Sequence, residues 1–79
     1  MRLRAEFTVY PFVQGEELPP HVQAAIDAAR RTGISPEVGA FGNVVTGDSH
    51  AVLEALRAAQ EAAIEAGATR IAVSVEIEG

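Results

Sequence analysis

The sequence predicts a small α+β fold with the element order βαββαβ. Three observations support this prediction. Residues 2–11 and 69–78 alternate apolar and polar side chains with the period of two that is typical of strands. Residues 20–32 and 49–66 space their apolar side chains as an amphipathic helix does. The glycines between the two helices favour a hairpin.

The first strand is predicted at residues 2–11, where Pro11 ends it because proline cannot donate to a central ladder. The first helix is predicted at residues 20–32. Its apolar stripe falls at positions i, i+3, i+4 and i+7, and Gly33 is the expected left-handed C-cap. The stripe consists of Val22, Ala25, Ile26 and Ala29.

A second strand is predicted at residues 34–41 and a third at residues 43–46, joined by a tight link that contains Gly39 and Gly42. The sequence leaves open which side chains of the third strand point to the apolar face of the sheet. Val44 and Val45 are both apolar, and a bulge in the link would exchange the two faces. The second helix starts with Asp48 or Ser49 as N-cap and runs to about residue 66. The last strand is predicted at residues 69–78.

This order is two split β-α-β units, the ferredoxin-like plan, with a four-stranded antiparallel sheet. Right-handed crossovers place both helices on one face, with the first and third strands central and the second and fourth at the edges. We expect the helices to cover the apolar face of the sheet. The other face must meet water, another subunit or a ligand, and it carries Arg4, Glu6, Thr8, Tyr10, Ser74 and Glu76.

Length and composition indicate one domain spanning residues 1–79, which are 48% apolar. A core of this size is marginal alone, so self-association is expected. The N-terminus lacks the apolar core of a signal peptide and no apolar run is long enough for a membrane span, which predicts a cytoplasmic protein without a membrane partner. The net charge of −5 argues against nucleic acid and is compatible with a cationic ligand.

Enzyme signals are weak. His21 and His50 each fall in the first turn of a helix, where a histidine needs no special role. Neither belongs to a spaced metal-ligand set, and Ser49 beside His50 is not placed as a nucleophile with its base. The chain lacks cysteine and a phosphate-binding glycine-rich loop, so the sequence predicts no catalysis, no metal and no cofactor.

A binding role is better supported by a polar and aromatic set near the open sheet face. A carboxylate, a hydroxyl and an amide can hydrogen-bond a flat heterocycle, and aromatic rings can stack on it. The predicted ligand-binding residues are Glu6, Thr8, Tyr10, Phe41 and Asn43. For Phe41, plain core packing remains an alternative.

Four stretches resemble one family: residues 7–11, FTVYP; residues 39–47, GAFGNVVTG; Gln60 with Glu61; and residues 66–78, AGATRIAVSVEIE. Together they are similar to the small thiamine-binding proteins of ferredoxin-like fold, and the likeness covers nearly the whole chain. The resemblance implies non-enzymatic binding of thiamine or its hydroxymethylpyrimidine part by a homodimer or homotetramer, in uptake or salvage. Thr8 matches a small hydroxyl residue of that family.

The chain departs from that family at three positions. Asn43 stands where threonine is usual, Thr46 where a charged residue is common, and Gln60 where histidine is common. The alternative function is an oligomerisation or regulatory module that has no small-molecule ligand and uses its sheet face between subunits.

Overall fold

The computed structural model describes residues 1–13, 16–39 and 42–79. Over these residues the elements follow the predicted order, and the fold is ferredoxin-like with four antiparallel strands in the order β2-β3-β1-β4. The elements are β1 (Arg2–Tyr10), α1 (Pro20–Arg31), β2 (Glu37–Val38), β3 (Asn43–Asp48), α2 (Ser49–Glu65) and β4 (Arg70–Ile77).

Two strands, β2 and β3, differ from the prediction by more than one residue at an end. β2 is only Glu37–Val38, whereas residues 34–41 were expected; residues 40 and 41 lie outside the described part of the chain. Pro36 is buried directly before β2 and has no N–H to donate, which prevents earlier pairing. β3 is longer than expected and extends to Asp48, which pairs with Arg2 of β1.

The core lies between β1 and the two helices. The odd-numbered side chains of β1 are each 4% exposed or less, and Phe7 is the largest fully buried side chain among the described residues. Many of the buried helix residues are alanines, whose small side chains allow the elements to pack closely. The buried alanines are Ala25, Ala28 and Ala29 of α1, and Ala55, Ala59 and Ala63 of α2.

The helix ends match the sequence signals. The Asp48 carboxylate accepts a hydrogen bond from the His50 backbone N–H at 3.1 Å and is the N-cap of α2. Gly33 has a φ of 104° and its N–H donates to the Arg30 carbonyl at 3.0 Å, as a left-handed residue does after a helix. Within the described residues, neither helix combines the length and the apolar character that a membrane span requires.

The helices do not cover the whole apolar face, which contradicts the expectation from sequence. Val73, Val75 and Ile77 of β4 are 40%, 44% and 68% exposed, although each lies opposite a buried residue of β1. β4 is an edge strand, whereas the helices contact the central strands β1 and β3. The edge row therefore remains largely in solvent.

Replacing Asp48 by Ala should lower the free energy of unfolding by about 1 kcal/mol, because the His50 N–H loses its acceptor at the start of α2. Urea unfolding followed by circular dichroism measures the change. Asp48→Asn is the matched control and should retain most of the stability, since asparagine caps about as well as aspartate. Equal losses in both variants would show that the cap is not the cause.

Candidate functional site

A cavity of about 310 Å³ opens at one end of the sheet, a size suited to a small organic molecule. It lies where the chain leaves β1, where α1 begins and where β2 turns into β3. The described residues that line it are Thr8, Phe12, Val13, Glu16, Leu18, Val22, Val38, Gly39, Gly42 and Asn43.

The walls of this pocket are mainly apolar. Val22 is buried in α1, and Phe12 packs against the core from the segment after β1. Val13, Leu18 and Val38 are exposed by 61%, 43% and 48%. Scattered exposed apolar side chains are ordinary, but three that line one cavity give it an apolar entrance.

Asn43 contributes a buried amide to the pocket. Its side chain is 4% exposed, and its Nδ2 donates to the Phe7 carbonyl at 3.2 Å. Asn43 is paired with Phe7 across β3 and β1, so both side chains lie on the helix-covered side of the sheet. This register settles the parity of β3 that the sequence left open.

The hairpin backbone at Gly42 lies close to the open-face side chains of β1. A Cβ added to Gly42 would be 3.0 Å from Thr8 Oγ1, 3.2 Å from Glu6 Cγ and 3.3 Å from Glu6 Oε2. Glycine therefore leaves space that these two side chains occupy. Both Gly42 and Thr8 line the pocket.

The open face itself offers only a shallow depression of about 150 Å³, lined by Glu6, Thr8, Ala72, Val73 and Ser74 among the described residues. Thr8 borders both this depression and the larger pocket. The polar face is therefore connected to the pocket through Thr8.

Tyr10 makes aromatic and cationic contacts within the chain. Its ring centroid is 5.6 Å from that of Phe12, and the Arg70 guanidinium carbon is 4.7 Å from the Tyr10 centroid. A cation at this distance from a ring is attracted by the electrons of its face. One face of Tyr10 is therefore already covered by Arg70, and Tyr10 is not among the described pocket residues.

The five predicted binding residues are thus divided. Thr8 and Asn43 line the pocket, Glu6 lies beside it against Gly42, and Tyr10 is engaged with Arg70. Phe41 lies outside the described residues. Their roles in binding remain predictions.

Sequence reasoning missed most of the pocket wall, including Phe12, Glu16 and Leu18. The sequence pattern places Val22 only in the apolar stripe of the first helix. The available signal was the run of apolar residues around a short polar loop, between the end of β1 and the prolines that start α1. Gln60, one of the positions of resemblance, donates instead to the Leu56 carbonyl of its own helix at 3.1 Å.

Several titratable side chains interact within the chain but are not among the described pocket residues. His21 Nε2 donates to the Pro11 carbonyl at 2.6 Å. On α2, the hydrogen bond from Arg57 and then its positive charge hold the pKa of Glu54 below its usual value, and the same hydrogen bond raises the pKa of Arg57. Within the described residues, no group of acidic or histidine side chains is arranged to hold a metal ion.

The fold and the pocket together define a ferredoxin-like domain with a small-molecule-sized cavity at one end of its sheet. The chain belongs to the thiamine-binding protein family, whose model matches residues 5–79. A UPF0045 protein of Methanothermobacter thermautotrophicus is 30% identical over 78 residues, which cover 96% of this chain and 79% of the relative.

Solved structures give the same result for the fold. A domain of unknown function, DUF77, from Bacillus cereus has a TM-score of 0.71 at 27% identity, covering 99% of this chain and 75% of that one. A candidate thiamine biosynthesis or salvage protein from Thermotoga maritima has a TM-score of 0.66, covering 96% of this chain and 81% of that one. At 18% identity, the second likeness shows the fold alone.

Replacing Gly42 by Ala should destabilise the protein by about 1–3 kcal/mol, the usual cost of forcing a methyl group into occupied space. A double-mutant cycle with Thr8→Ala tests the cause, because removing Oγ1 relieves the shortest contact. We expect the cost of Gly42→Ala to be smaller in the Thr8→Ala background, as measured by urea unfolding. An unchanged cost in that background would show that Thr8 does not pack against the hairpin.

Proposed function

We propose that this chain binds thiamine or its hydroxymethylpyrimidine part without transforming it, in the pocket between β1, α1 and the β2–β3 hairpin. We further propose that it acts in the cytoplasm as a homodimer or homotetramer, in uptake or salvage. The observation that carries the proposal is a pocket with apolar walls and a buried amide, in a chain whose family is thiamine-binding.

The apolar walls suit the flat part of such a ligand. Phe12, Leu18 and Val22 present aromatic and aliphatic surface to the cavity. Burial of apolar ligand surface contributes about 25 cal/mol per Å² before the costs of association are subtracted. The ring system of a heterocycle is therefore the part that we place between these side chains.

The charge of the pocket favours a cation. Glu16 is the only acidic side chain among the described lining residues, and none of those residues is basic. The chain as a whole has a net charge of −5, which adds a weak attraction over the surface. Thiamine carries a permanent positive charge on its thiazolium ring, whereas hydroxymethylpyrimidine is neutral at pH 7. We therefore place the thiazolium near Glu16.

The neutral polar groups suit an aminopyrimidine. Because Asn43 uses its Nδ2 to donate to Phe7, we assign its carboxamide oxygen as an acceptor for an amino group of the ligand. Thr8 adds a hydroxyl group at the pocket edge. These groups recognise a ligand but provide no paired nucleophile and base, which supports binding without turnover.

A second candidate is an oligomerisation module without a ligand. It is favoured by the exposed apolar row on β4, which lies at the other edge of the sheet from β2 and its hairpin. Such a module would also form an oligomer, but thiamine would not change its stability. Ligand titration therefore separates the two candidates.

Isothermal titration of the wild-type chain with thiamine and, separately, with hydroxymethylpyrimidine should give saturable binding for at least one of them. At a ligand concentration of 100 times Kd, the free energy of unfolding should rise by about 2.7 kcal/mol. Thermal unfolding with and without ligand measures this gain. The absence of both heat and thermal shift at saturating concentrations would leave the ligand-free module as the better account.

Replacing Glu16 by Gln should weaken thiamine binding by up to about five-fold, because a solvent-accessible ion pair contributes about 0.2–1 kcal/mol. Binding of neutral hydroxymethylpyrimidine should stay unchanged. Glu17→Gln is the matched control: it changes the net charge equally from a neighbouring position that is not among the described pocket residues. If both variants weaken thiamine equally, the contribution is one of overall charge and Glu16 has no local role.

A further inference from the structure

One wall of the pocket belongs to the segment between β1 and α1, residues 11–19, which we call the pocket loop. This segment supplies an aromatic ring, a carboxylate and two aliphatic side chains to the cavity. The described loop residues that line it are Phe12, Val13, Glu16 and Leu18. The position of the loop therefore sets the shape of the cavity on that side.

A single side chain joins the two ends of the pocket loop. His21, the second residue of α1, donates from Nε2 to the Pro11 carbonyl at 2.6 Å. A carbonyl oxygen only accepts hydrogen bonds, so Nε2 carries the hydrogen. The Glu16 N–H donates to the Val13 carbonyl at 3.2 Å, which is a contact within the loop. Among the described residues, the bond from His21 is the only hydrogen bond that connects positions 11–18 to another part of the chain.

The carbonyl that precedes this bond is held from the other side of the fold. The Thr69 N–H, directly before β4, donates to the Tyr10 carbonyl at 2.9 Å. Successive carbonyls of Tyr10 and Pro11 are therefore bonded to the start of β4 and to the start of α1. Phe12 follows at once, with its ring 5.6 Å from the Tyr10 ring and packed against the core. The direction in which the chain leaves β1 is thus fixed between Thr69 and His21.

We propose that His21 is a positioning residue of the pocket, which closes the pocket loop against α1 and so holds Phe12 and Leu18 where the ring of the ligand binds. His21 is not among the described lining residues, so it acts through these side chains. A bond that fixes a binding loop in advance removes conformational freedom that the ligand would otherwise have to remove, and this raises affinity. The inference rests on the proposed function for its ligand but not for the closure of the loop.

His50 is a matched control within the same chain. It is the second residue of α2, as His21 is the second residue of α1. Its imidazole is exposed, and its hydrogen bond to Asp48 is made by the backbone N–H. Replacing either histidine by alanine changes the helix propensity equally, but only the change at position 21 removes a bond to the pocket loop.

His21→Ala should raise the Kd for thiamine about two- to ten-fold, the range expected for the loss of one hydrogen bond. The Kd for neutral hydroxymethylpyrimidine should rise by a similar factor, because the walls act on the ring and not on its charge. Isothermal titration at a temperature where every variant is folded measures both constants. His50→Ala should leave them unchanged. Equal Kd values for the wild type and a folded His21→Ala variant, or a loss confined to the cationic ligand, would overturn the proposal.

Rescue by a second amide donor separates positioning from a general effect on folding. Glutamine places an N–H₂ group at about the distance of the histidine Nε2 from the backbone, whereas asparagine is one carbon shorter. His21→Gln should therefore recover most of the affinity, and His21→Asn should bind as weakly as His21→Ala. Thermal unfolding of each variant reports its stability separately. Glutamine and asparagine variants that are folded and equally weak would contradict a role for the bond to Pro11.

Loop closure is measured without any ligand by ¹⁵N relaxation of the Phe12, Val13 and Leu18 amides, on both the ps–ns and the μs–ms timescales. Motion should increase in His21→Ala and His21→Asn, and return to the wild-type level in His21→Gln. Unchanged relaxation in all variants would overturn the proposal. A wild-type chain that binds neither compound would remove the proposed function, and the relaxation data would then decide by themselves whether His21 closes the loop.

Discussion

The structure depends on the burial of one side of β1 beneath two alanine-rich helices. Phe7 is the largest side chain of this row, and burying a side chain of its kind contributes about 1.5–3 kcal/mol. Because successive side chains of a strand alternate, burying Phe7 fixes Glu6 and Thr8 on the opposite face. The same register places Asn43 beside Phe7 on the covered side. The packing of Phe7 thus sets the positions of the two polar pocket residues, Thr8 and Asn43.

The hairpin end of the sheet and its β4 edge expose different surfaces. At the hairpin end, the segment after β1 and the start of α1 stand apart from the β2–β3 turn, and the space between them is the pocket. At the β4 edge, the helices leave the outer row of the sheet uncovered. The first feature is a space of small-molecule size, and the second is an uncovered apolar row. A domain of only 79 residues can therefore present two distinct surfaces.

The sequence was sufficient for the fold and only partly sufficient for the site. Alternation in β1, the helix stripes and the capping residues Asp48 and Gly33 are local signals, and the structure confirms them. The side of the sheet that Asn43 occupies is not local, because it depends on pairing with Phe7 thirty-six positions away. The pocket wall at Phe12 and Leu18 likewise comes from packing between segments. Thr8 and Asn43 were predicted from chemistry and resemblance, and the structure shows that both line one cavity from opposite faces of the sheet.

The central claim is that the pocket at the hairpin end holds a thiamine-like molecule. The most direct measurement is a titration of the isotope-labelled chain with thiamine, followed by two-dimensional NMR of the backbone amides. The account predicts saturable shifts concentrated at Phe12, Glu16, Val22 and Asn43, with little change at Thr46 and Glu76 on the open face. Shifts confined to the open face, or no saturable shift at any amide, would contradict it.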